Sequence, residues 1–245
     1  YKRQMEYYSI GYITNPTLPD VTQDDVLKLT HINLAFGLVK DGLLDTHQLT
    51  NIGCIEQFRR WNPAIRIMLS VGGWGAGGFS TMALTDAGRR AFAASCLAYV
   101  EEHGLDGIDI DWEYPDNDTQ WYHFSLFLGE VRSAMGANGM SLSSAINPYY
   151  LAPTSEMMDL LDFVNVMSYD RGGQHSTYPD MVTDVNTMRN KNVPDCKIVM
   201  GLPFYTNETR SNRNWDAQKG YSTVIQLYPN IAPGTDTCTL SLIHI

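Results

Sequence analysis

The sequence lacks several features that mark specialised classes of protein. No segment approaches the run of about 18 apolar residues that a membrane-spanning helix needs, so insertion into a membrane is not expected. Basic residues are few: 17 Lys and Arg stand against 27 Asp and Glu, which gives a net charge of -10. Because binding to a phosphate backbone needs a surplus of Lys and Arg, this balance argues against a nucleic-acid partner. A neutral or cationic substrate is compatible with this net negative charge.

Cysteine is also scarce. The four cysteines, Cys54, Cys96, Cys196 and Cys238, form neither a CxxC pair nor a cluster with histidine, so no zinc site is predicted. They allow three disulfide pairings, and the sequence selects none of them. The six histidines show no metal-ligand spacing, and the glycine pairs fit tight turns better than a phosphate-binding loop. We therefore expect neither a metal ion nor a cofactor.

Short β-rich runs alternate with helical patterns along the chain. The predicted strands are 8–13, 31–37, 66–72, 107–111, 141–147, 163–168 and 197–202. Helical patterns cover 22–28, 46–60, 179–191 and 221–228, and two stronger ones begin at Thr85 as N-cap and at Asp118. This rhythm predicts βα units around a parallel sheet. The fold class is α/β, a (β/α)8 TIM barrel with about seven strands present.

The ends of the sequence fit no element of this pattern. We expect one domain over residues 5–240, incomplete at its C-terminal side before an eighth strand. Residues 1–4 and 241–245 resemble translated flanking sequence, and we leave them out of the fold prediction.

The fourth predicted strand carries three acidic residues at alternate positions, Asp109, Asp111 and Glu113. Because side chains of a strand alternate between its two faces, the three carboxylates share one face. The residues between them, which occupy the other face, are Ile108, Ile110 and Trp112. In a parallel barrel the apolar face packs under the helices, so the acidic face is expected inside the barrel.

The position of these acids predicts chemistry. Pro115 ends the strand, which places Glu113 at its C-terminal end, where barrel enzymes keep their catalytic groups. Carboxylates about 6 to 7 Å apart along a strand cannot all stay ionised in a low-dielectric interior, so at least one pKa rises and that group can act as a general acid. Asp106 has the opposite parity and is assigned a structural role. Two alternatives are a site for a hard cation such as Ca²⁺ or Mg²⁺ and a structural polar network.

The spacing Asp106-x-x-Asp109-x-Asp111-x-Glu113 resembles the signature of glycoside hydrolase family 18, the chitinases and their relatives. Further motifs extend the resemblance over nearly the whole chain. Residues 70–74 (SVGGW) are similar to the family's SxGG motif on strand three, and residues 167–170 (MSYD) to its MxYD motif on strand six. Residues 201–205 (GLPFY) resemble the segment that ends strand seven.

The resemblance implies hydrolysis of β-1,4-linked N-acetylglucosamine in chitin or chitooligosaccharides, with retention and with the substrate's own acetamido group as nucleophile. Glu113 would protonate the glycosidic oxygen. Asp111 would orient the acetamido N–H, and Asp109 would share a proton with Asp111. Tyr169 would donate its hydroxyl to the acetamido carbonyl, and Asp170 would bind the distorted sugar.

Other residues are assigned to substrate binding or to support of the site. The expected binding residues are Met167, Trp74, Tyr114, Tyr12, Phe36 and Tyr205. The expected supporting residues are Ser70, Asp106, Gly72 and Gly73. Plain packing of the barrel or its rim remains the alternative for Tyr169, Ser70 and the aromatic residues.

The chain departs from the family pattern in one respect: it has no counterpart of the Trp that forms the floor of the −1 subsite on strand eight. We expect the isolated chain to lack that part of the subsite. The alternative functions are an endo-β-N-acetylglucosaminidase acting on N-glycan cores and a chitinase-like lectin that binds without cleaving. The presence of Glu113 argues against the lectin, and the continuation Tyr114-Pro115 resembles the chitinase branch more. The resemblance also implies a monomer and a secreted or periplasmic location for the full-length parent, although no signal peptide is visible.

Overall fold

The computed structural model describes residues 8–150, 154–171, 175–208 and 218–227, and the short segments 237–238 and 243–244. Its strands are β1 Ile10–Thr14, β2 His31–Lys40, β3 Leu43–Asp45, β4 Arg66–Gly72, β5 Gly107–Asp111, β6 Ser141–Ile146, β7 Phe163–Val166, β8 Ile198–Met200, β9 Asn207–Glu208, β10 Thr237–Cys238 and β11 Ile243–His244. Its helices are α1 Gln23–Lys28, α2 Cys54–Trp61, α3 Phe79–Ala83, α4 Asp86–Glu102, α5 Asp118–Met135, α6 Ser155–Leu160, α7 Tyr178–Asn190 and α8 Tyr221–Leu227.

Seven strands form one parallel sheet in the order β1-β2-β4-β5-β6-β7-β8, with β3 paired antiparallel to β2. The sheet is curled. Tyr12 on β1 and Asn165 on β7 meet across its interior, where the Asn165 amide donates a hydrogen bond of 2.8 Å to the Tyr12 hydroxyl. This is an α/β fold, a curled half-barrel that matches an incomplete TIM barrel, and the predicted fold class is confirmed. Within the described ranges, no helix has the length and apolar character needed to cross a membrane.

The apolar core lies between the sheet and its helices. Ile108 and Ile110 on β5 are fully buried in the same cluster as Phe92 of α4 and Phe127 of α5. Burying each such side chain stabilises the fold by about 1.5–3 kcal/mol. The predicted alternation along β5 is therefore what the structure shows: the apolar set faces the helices, and the carboxylates face the interior.

Side-chain caps fix where the long helices begin. Thr85 accepts a hydrogen bond from the Gly88 N–H at the start of α4, as predicted, and Asn117 accepts one from Gln120 N–H at the start of α5. Such caps satisfy backbone donors that the first turn leaves without partners. The α5 helix ends at Gly136, which adopts φ 58°.

Several elements differ from the predictions. The strand expected over 31–37 continues to Lys40 and turns back through Asp41-Gly42 into β3, with φ values of 52° and 78° at the turn. The helix expected over 46–60 begins only at Cys54. The sequence pattern does not predict the short helices α3 and α6, and β9, β10 and β11 form a small antiparallel sheet where no strand is expected. Residue 228, the end of the last predicted helix, lies outside the described residues.

Candidate active site

Asp109 lies at the bottom of the site, fully buried in the barrel interior. One carboxylate oxygen accepts hydrogen bonds from the hydroxyls of Ser70 at 2.7 Å and Tyr12 at 2.9 Å. The other accepts from Ser143 at 2.6 Å and from the Asn165 amide at 3.2 Å. Burial raises the pKa of Asp109, and these bonds oppose that rise. Donors from four strands thus occupy the carboxylate and hold it in place.

Asp111 stands one pleat higher on the same strand and is 5% exposed. Burial raises its pKa well above the ordinary range, and the negative charges of Glu113 and Asp109 raise it further. In the described part of the chain, its Oδ1 atom is shielded from solvent and has no hydrogen-bond partner. The arrangement makes Asp111 a carboxyl that readily holds a proton.

Glu113 follows the end of β5 and is half-buried at the mouth of the barrel. Burial raises its pKa, the negative charge of Asp170 raises it further, and a hydrogen bond with Tyr114 opposes the rise. The Glu113–Tyr114 peptide bond is cis, as is Ala35–Phe36. A carboxyl with a raised pKa that solvent can still reach is suited to give a proton to a bound ligand.

The segment after β7 brings Tyr169 and Asp170 to the same mouth. Burial raises the pKa of the half-buried Tyr169, and the charges of Asp111 and Glu113 add to the effect. The Tyr205 hydroxyl donates to Asp170 Oδ2 at 2.7 Å, and the rings of Tyr205 and Tyr169 meet edge-on at 6.2 Å. The Tyr169 hydroxyl therefore lies near the carboxyl groups of Asp111 and Glu113. Met167 is buried below this segment.

The glycine pair of the SxGG motif lets the turn after β4 pack against β5. Gly72 has φ 119°, and a Cβ atom there would lie 2.0 Å from the carbonyl oxygen of Asp111. Gly73 has φ 89°, its N–H donates to that same oxygen at 2.9 Å, and a Cβ atom would lie 2.9 Å from the Phe36 ring. Only glycine fits this approach, which places the turn against the strand that carries the acids.

Aromatic side chains surround the mouth. Trp74 is 83% exposed, and its ring lies 6.4 Å from that of Tyr114, which stacks on Tyr150 at 4.4 Å. Trp74 and Phe36 also line an open groove with a volume of about 650 Å³. Tyr12 is 39% exposed, although its hydroxyl reaches Asp109. Trp74, Tyr114, Phe36 and Tyr12, four of the residues expected to bind substrate, thus lie close to one another.

Asp106 lies apart from the other acids, at the opposite end of the barrel. Its Oδ2 atom accepts hydrogen bonds from the Ile67 N–H at 2.8 Å and from Arg59 at 2.9 Å. It therefore ties the start of β5 to β4 and α2. Over the described ranges, no group of three or more His, Cys, Asp or Glu side chains is arranged to hold a metal ion.

Comparison with known proteins identifies the family. The profile of glycosyl hydrolases family 18 matches residues 5–236. The chain belongs to this family. It is 34% identical over 187 residues to Chitinase 1 of Aphanocladium album, covering 62% of this chain and 44% of that protein. The chain thus spans less than half the length of this curated relative.

Solved structures of family 18 share the fold. An N-acetylglucosaminidase from Paenibacillus barengoltzii superposes with a TM-score of 0.75 at 37% identity, covering 82% of this chain and 70% of that one. A chitinase from Flavobacterium johnsoniae superposes with a TM-score of 0.84 at 26% identity, covering 96% of this chain and 78% of that one.

Sequence reasoning missed several residues of this family 18 site. Ser143 and Asn165 complete the donor set of Asp109, and Ser143 pairs in register with Asp109. Their parity on β6 and β7 was a usable signal, since alternation along the neighbouring strands places both inside the barrel. Tyr150, which stacks on Tyr114, and buried His175, whose Nδ1 accepts from the Asp170 N–H at 3.4 Å, lie in loops where no periodicity points to them.

Proposed function

We propose that the protein hydrolyses β-1,4 linkages between N-acetylglucosamine units of chitin or chitooligosaccharides, with retention at the anomeric carbon. The observation that carries the proposal is the change in burial and hydrogen bonding from one acid to the next along β5 and the residues just after it. Both carboxylate oxygens of Asp109 accept hydrogen bonds. Asp111 is buried beside two negative charges, and Glu113 lies at the mouth of the barrel with a raised pKa. The names of the family 18 relatives support this substrate class.

In the first step, Glu113 gives its proton to the glycosidic oxygen. The acetamido oxygen of the sugar attacks the anomeric carbon as the bond to the leaving sugar breaks, and a cyclic oxazolinium forms. In the second step, water attacks the same carbon while Glu113 takes its proton and the ring opens. Two inversions give retention, and Glu113 ends the cycle protonated.

Asp111 and Tyr169 orient the acetamido group. Four donors hold Asp109, whereas the Oδ1 atom of Asp111 has no hydrogen-bond partner among the described residues. The Asp111 carboxylate can therefore accept from the acetamido N–H as positive charge develops there. The charge of Asp109 below favours a protonated Asp111 while the site is empty. The Tyr169 hydroxyl can donate to the acetamido carbonyl and hold it in position for attack.

A second candidate is the release of single N-acetylglucosamine units. The 37% identity to a family 18 N-acetylglucosaminidase favours it. Both candidates use the same acid and the same nucleophile, and they differ in the products from chitotetraose. Disaccharide indicates the first candidate, and early monosaccharide with trisaccharide indicates the second. An endo-acting enzyme of N-glycan cores would cleave chitotetraose poorly at any of its linkages. A lectin would bind the tetrasaccharide and leave it intact.

The test is Glu113→Gln, measured on the chain and on a version completed through an eighth strand. General acid catalysis contributes about 10² to 10⁴-fold, so chitotetraose hydrolysis should fall by at least that factor while binding survives. An aryl chitobioside, whose leaving group needs less protonation, should lose less. Glu56→Gln, on the exposed side of α2, is the control and should retain activity. Hydrolysis within a few-fold of the parent would mean that Glu113 is not the acid.

A further inference from the structure

A buried carboxylate on α7 is joined to the chain on both sides of Tyr169 and Asp170. Asp184 is 1% exposed. Its Oδ2 atom accepts a hydrogen bond of 2.5 Å from Ser168, the residue before Tyr169. Its Oδ1 atom accepts one from Arg171, the residue after Asp170. One side chain from a helix therefore holds both ends of the dipeptide that faces Glu113.

Further contacts extend this attachment. The Ser176 hydroxyl donates to the Ser168 carbonyl at 2.9 Å, so the carbonyl of Ser168 is held as well as its hydroxyl. The Arg171 guanidinium also lies 3.4 Å from Asp180, one turn earlier on α7, and 4.1 Å from the centre of the Tyr149 ring. Arg171 thus connects the segment after β7 to α7 and to the loop after β6.

Stability alone does not account for a carboxylate at this position. Removing a charge from water costs several kcal/mol, and replacing a buried ion pair with apolar side chains is often neutral or stabilising. Helix α5 buries Phe124, Phe127 and Val131, whereas α7 buries Asp184 together with Met188. What the ion pair supplies and an apolar contact does not is direction, because Ser168 and Arg171 are each held at a specific carboxylate oxygen.

We propose that Asp184 is a positioning residue for the reaction. It sets the direction in which Tyr169 and Asp170 point at the sugar in the −1 subsite, through Ser168 on one side and Arg171 on the other. The proposal rests on the function proposed above, and Asp184 itself touches no reacting atom.

The test compares Asp184→Asn with Asp180→Asn. The first variant keeps an oxygen that can accept from Ser168 but removes the charge opposite Arg171. The control removes a charge opposite the same Arg171 without touching Ser168. A displacement of about 1 Å can cost roughly 10²-fold in rate. Asp184→Asn should therefore lower kcat on chitotetraose at least tenfold while KM changes less than threefold, and the control should stay within threefold of the parent in both.

Binding separates this proposal from the function on which it rests. A thiazoline analogue of the cyclic intermediate should bind Asp184→Asn at least tenfold more weakly, whereas free N-acetylglucosamine should bind equally to the variant and the parent. Crystal structures of both proteins should show the Tyr169 hydroxyl displaced in the variant. If the parent neither binds the analogue nor cleaves chitotetraose, the proposed function fails, and the position of Tyr169 still decides the inference.

An unmoved Tyr169 in a folded variant, or unchanged kcat and analogue affinity, would overturn the proposal. If Asp184→Asn does not fold, Ser168→Ala takes its place, because it removes one of the two attachments and leaves the ion pair intact. The same displacement and the same loss of kcat are expected there.

Discussion

Three carboxyl groups, two on β5 and one just after it, acquire different proton affinities from their surroundings. Asp109 is deepest, but four donors replace the water it has lost. Asp111 is almost as deep, and its Oδ1 atom finds no such donor among the described residues. Glu113 keeps contact with solvent and receives the field of Asp170 from another strand end. The different roles proposed for the three acids therefore follow from their neighbours, because the reacting group is a carboxyl in each case.

The charged surroundings of Glu113 predict how Asp170 affects the pH dependence of the proposed hydrolysis. Among the described residues, the ionisable groups that face Glu113 are Asp111, Tyr114, Tyr169, Asp170 and Tyr205. The negative charge of Asp170 raises the pKa of Glu113, so Asp170→Asn should lower that pKa. Since the proposed mechanism needs a protonated Glu113, the alkaline limb of kcat/KM should move to lower pH.

The measurement is the pH profile of kcat/KM on chitotetraose, whose leaving group depends on protonation by Glu113. Asp170→Asn is also expected to lower the height of the profile, because Asp170 is a candidate sugar ligand, so the position of the limb is the informative quantity. Asp116→Asn, an exposed site just after the same strand, serves as the control. An alkaline limb that stays in place, or moves to higher pH, would contradict the field that Asp170 exerts on Glu113.

The elements of the fold depend on close backbone approaches as much as on apolar patterns. At the junction of β4 with the following turn, Gly72 brings its Cα against the Asp111 carbonyl. Gly72→Ala would place a methyl group 2.0 Å from that oxygen at φ 119°, so the turn must move away from β5. Destabilisation of more than about 3 kcal/mol is expected, in the upper range for single substitutions.

Urea unfolding of Gly72→Ala measures this cost. The matched control is Gly53→Ala, because Gly53 has φ −56° and ψ −18° at the start of α2 and no atom within 4 Å of an added Cβ. There the substitution should be neutral or stabilise the protein by about 0.4–1 kcal/mol, through loss of freedom in the unfolded chain. Equal unfolding midpoints for the two variants would remove the steric argument at Gly72.

The same elements show what the sequence could predict. Period-two alternation on β5 and apolar runs on its neighbours predicted the seven parallel strands, because the barrel imposes one pattern on all of them. Thr85 marked a helix start that the structure confirms, since caps are local. The Asp41-Gly42 turn also carries a local signal, because Asp-Gly between apolar runs is a strong marker of hairpins.

The rest depended on contacts distant in sequence. Tyr150 stacks on Tyr114 because two loops meet at the mouth, and Asp184 reaches Ser168 because α7 packs under the segment after β7. Neither contact corresponds to a regular spacing in the sequence that could have predicted it. The acids of β5 could be found because a single strand orders them, whereas their partners come from strands and loops that only the closed sheet brings together.

For the molecule as a whole, the site opposes stability. Asp109, Asp111 and Glu113 all have pKa values raised by burial, so the folded protein binds protons more tightly than the unfolded chain does. Unfolding is then favoured as pH rises, because the unfolded state loses these protons more readily. With a net charge of -10, the chain also carries general self-repulsion near neutral pH. Acids that the fold keeps protonated in the barrel interior therefore lower the free energy of unfolding as the pH rises.

Asp111→Asn should separate stability from activity. Below the ordinary carboxyl pKa of about 3.9, Asp111 is neutral in both folded and unfolded states, and the substitution should change the free energy of unfolding little. Above that pH, the parent loses stability as the pH rises towards the raised pKa of folded Asp111, while the Asn variant has no such group to titrate. The variant should therefore be more stable than the parent near pH 7 and close to it near about pH 3.5, although its hydrolysis of chitotetraose is severely reduced. Urea unfolding at both pH values measures the difference, and Asp159→Asn, which removes an equal charge from the exposed face of α6, measures the contribution of net charge alone. A variant that gains no stability between the two pH values would show that Asp111 does not carry the raised pKa, and the proton assigned to it would have to reside on Glu113 alone.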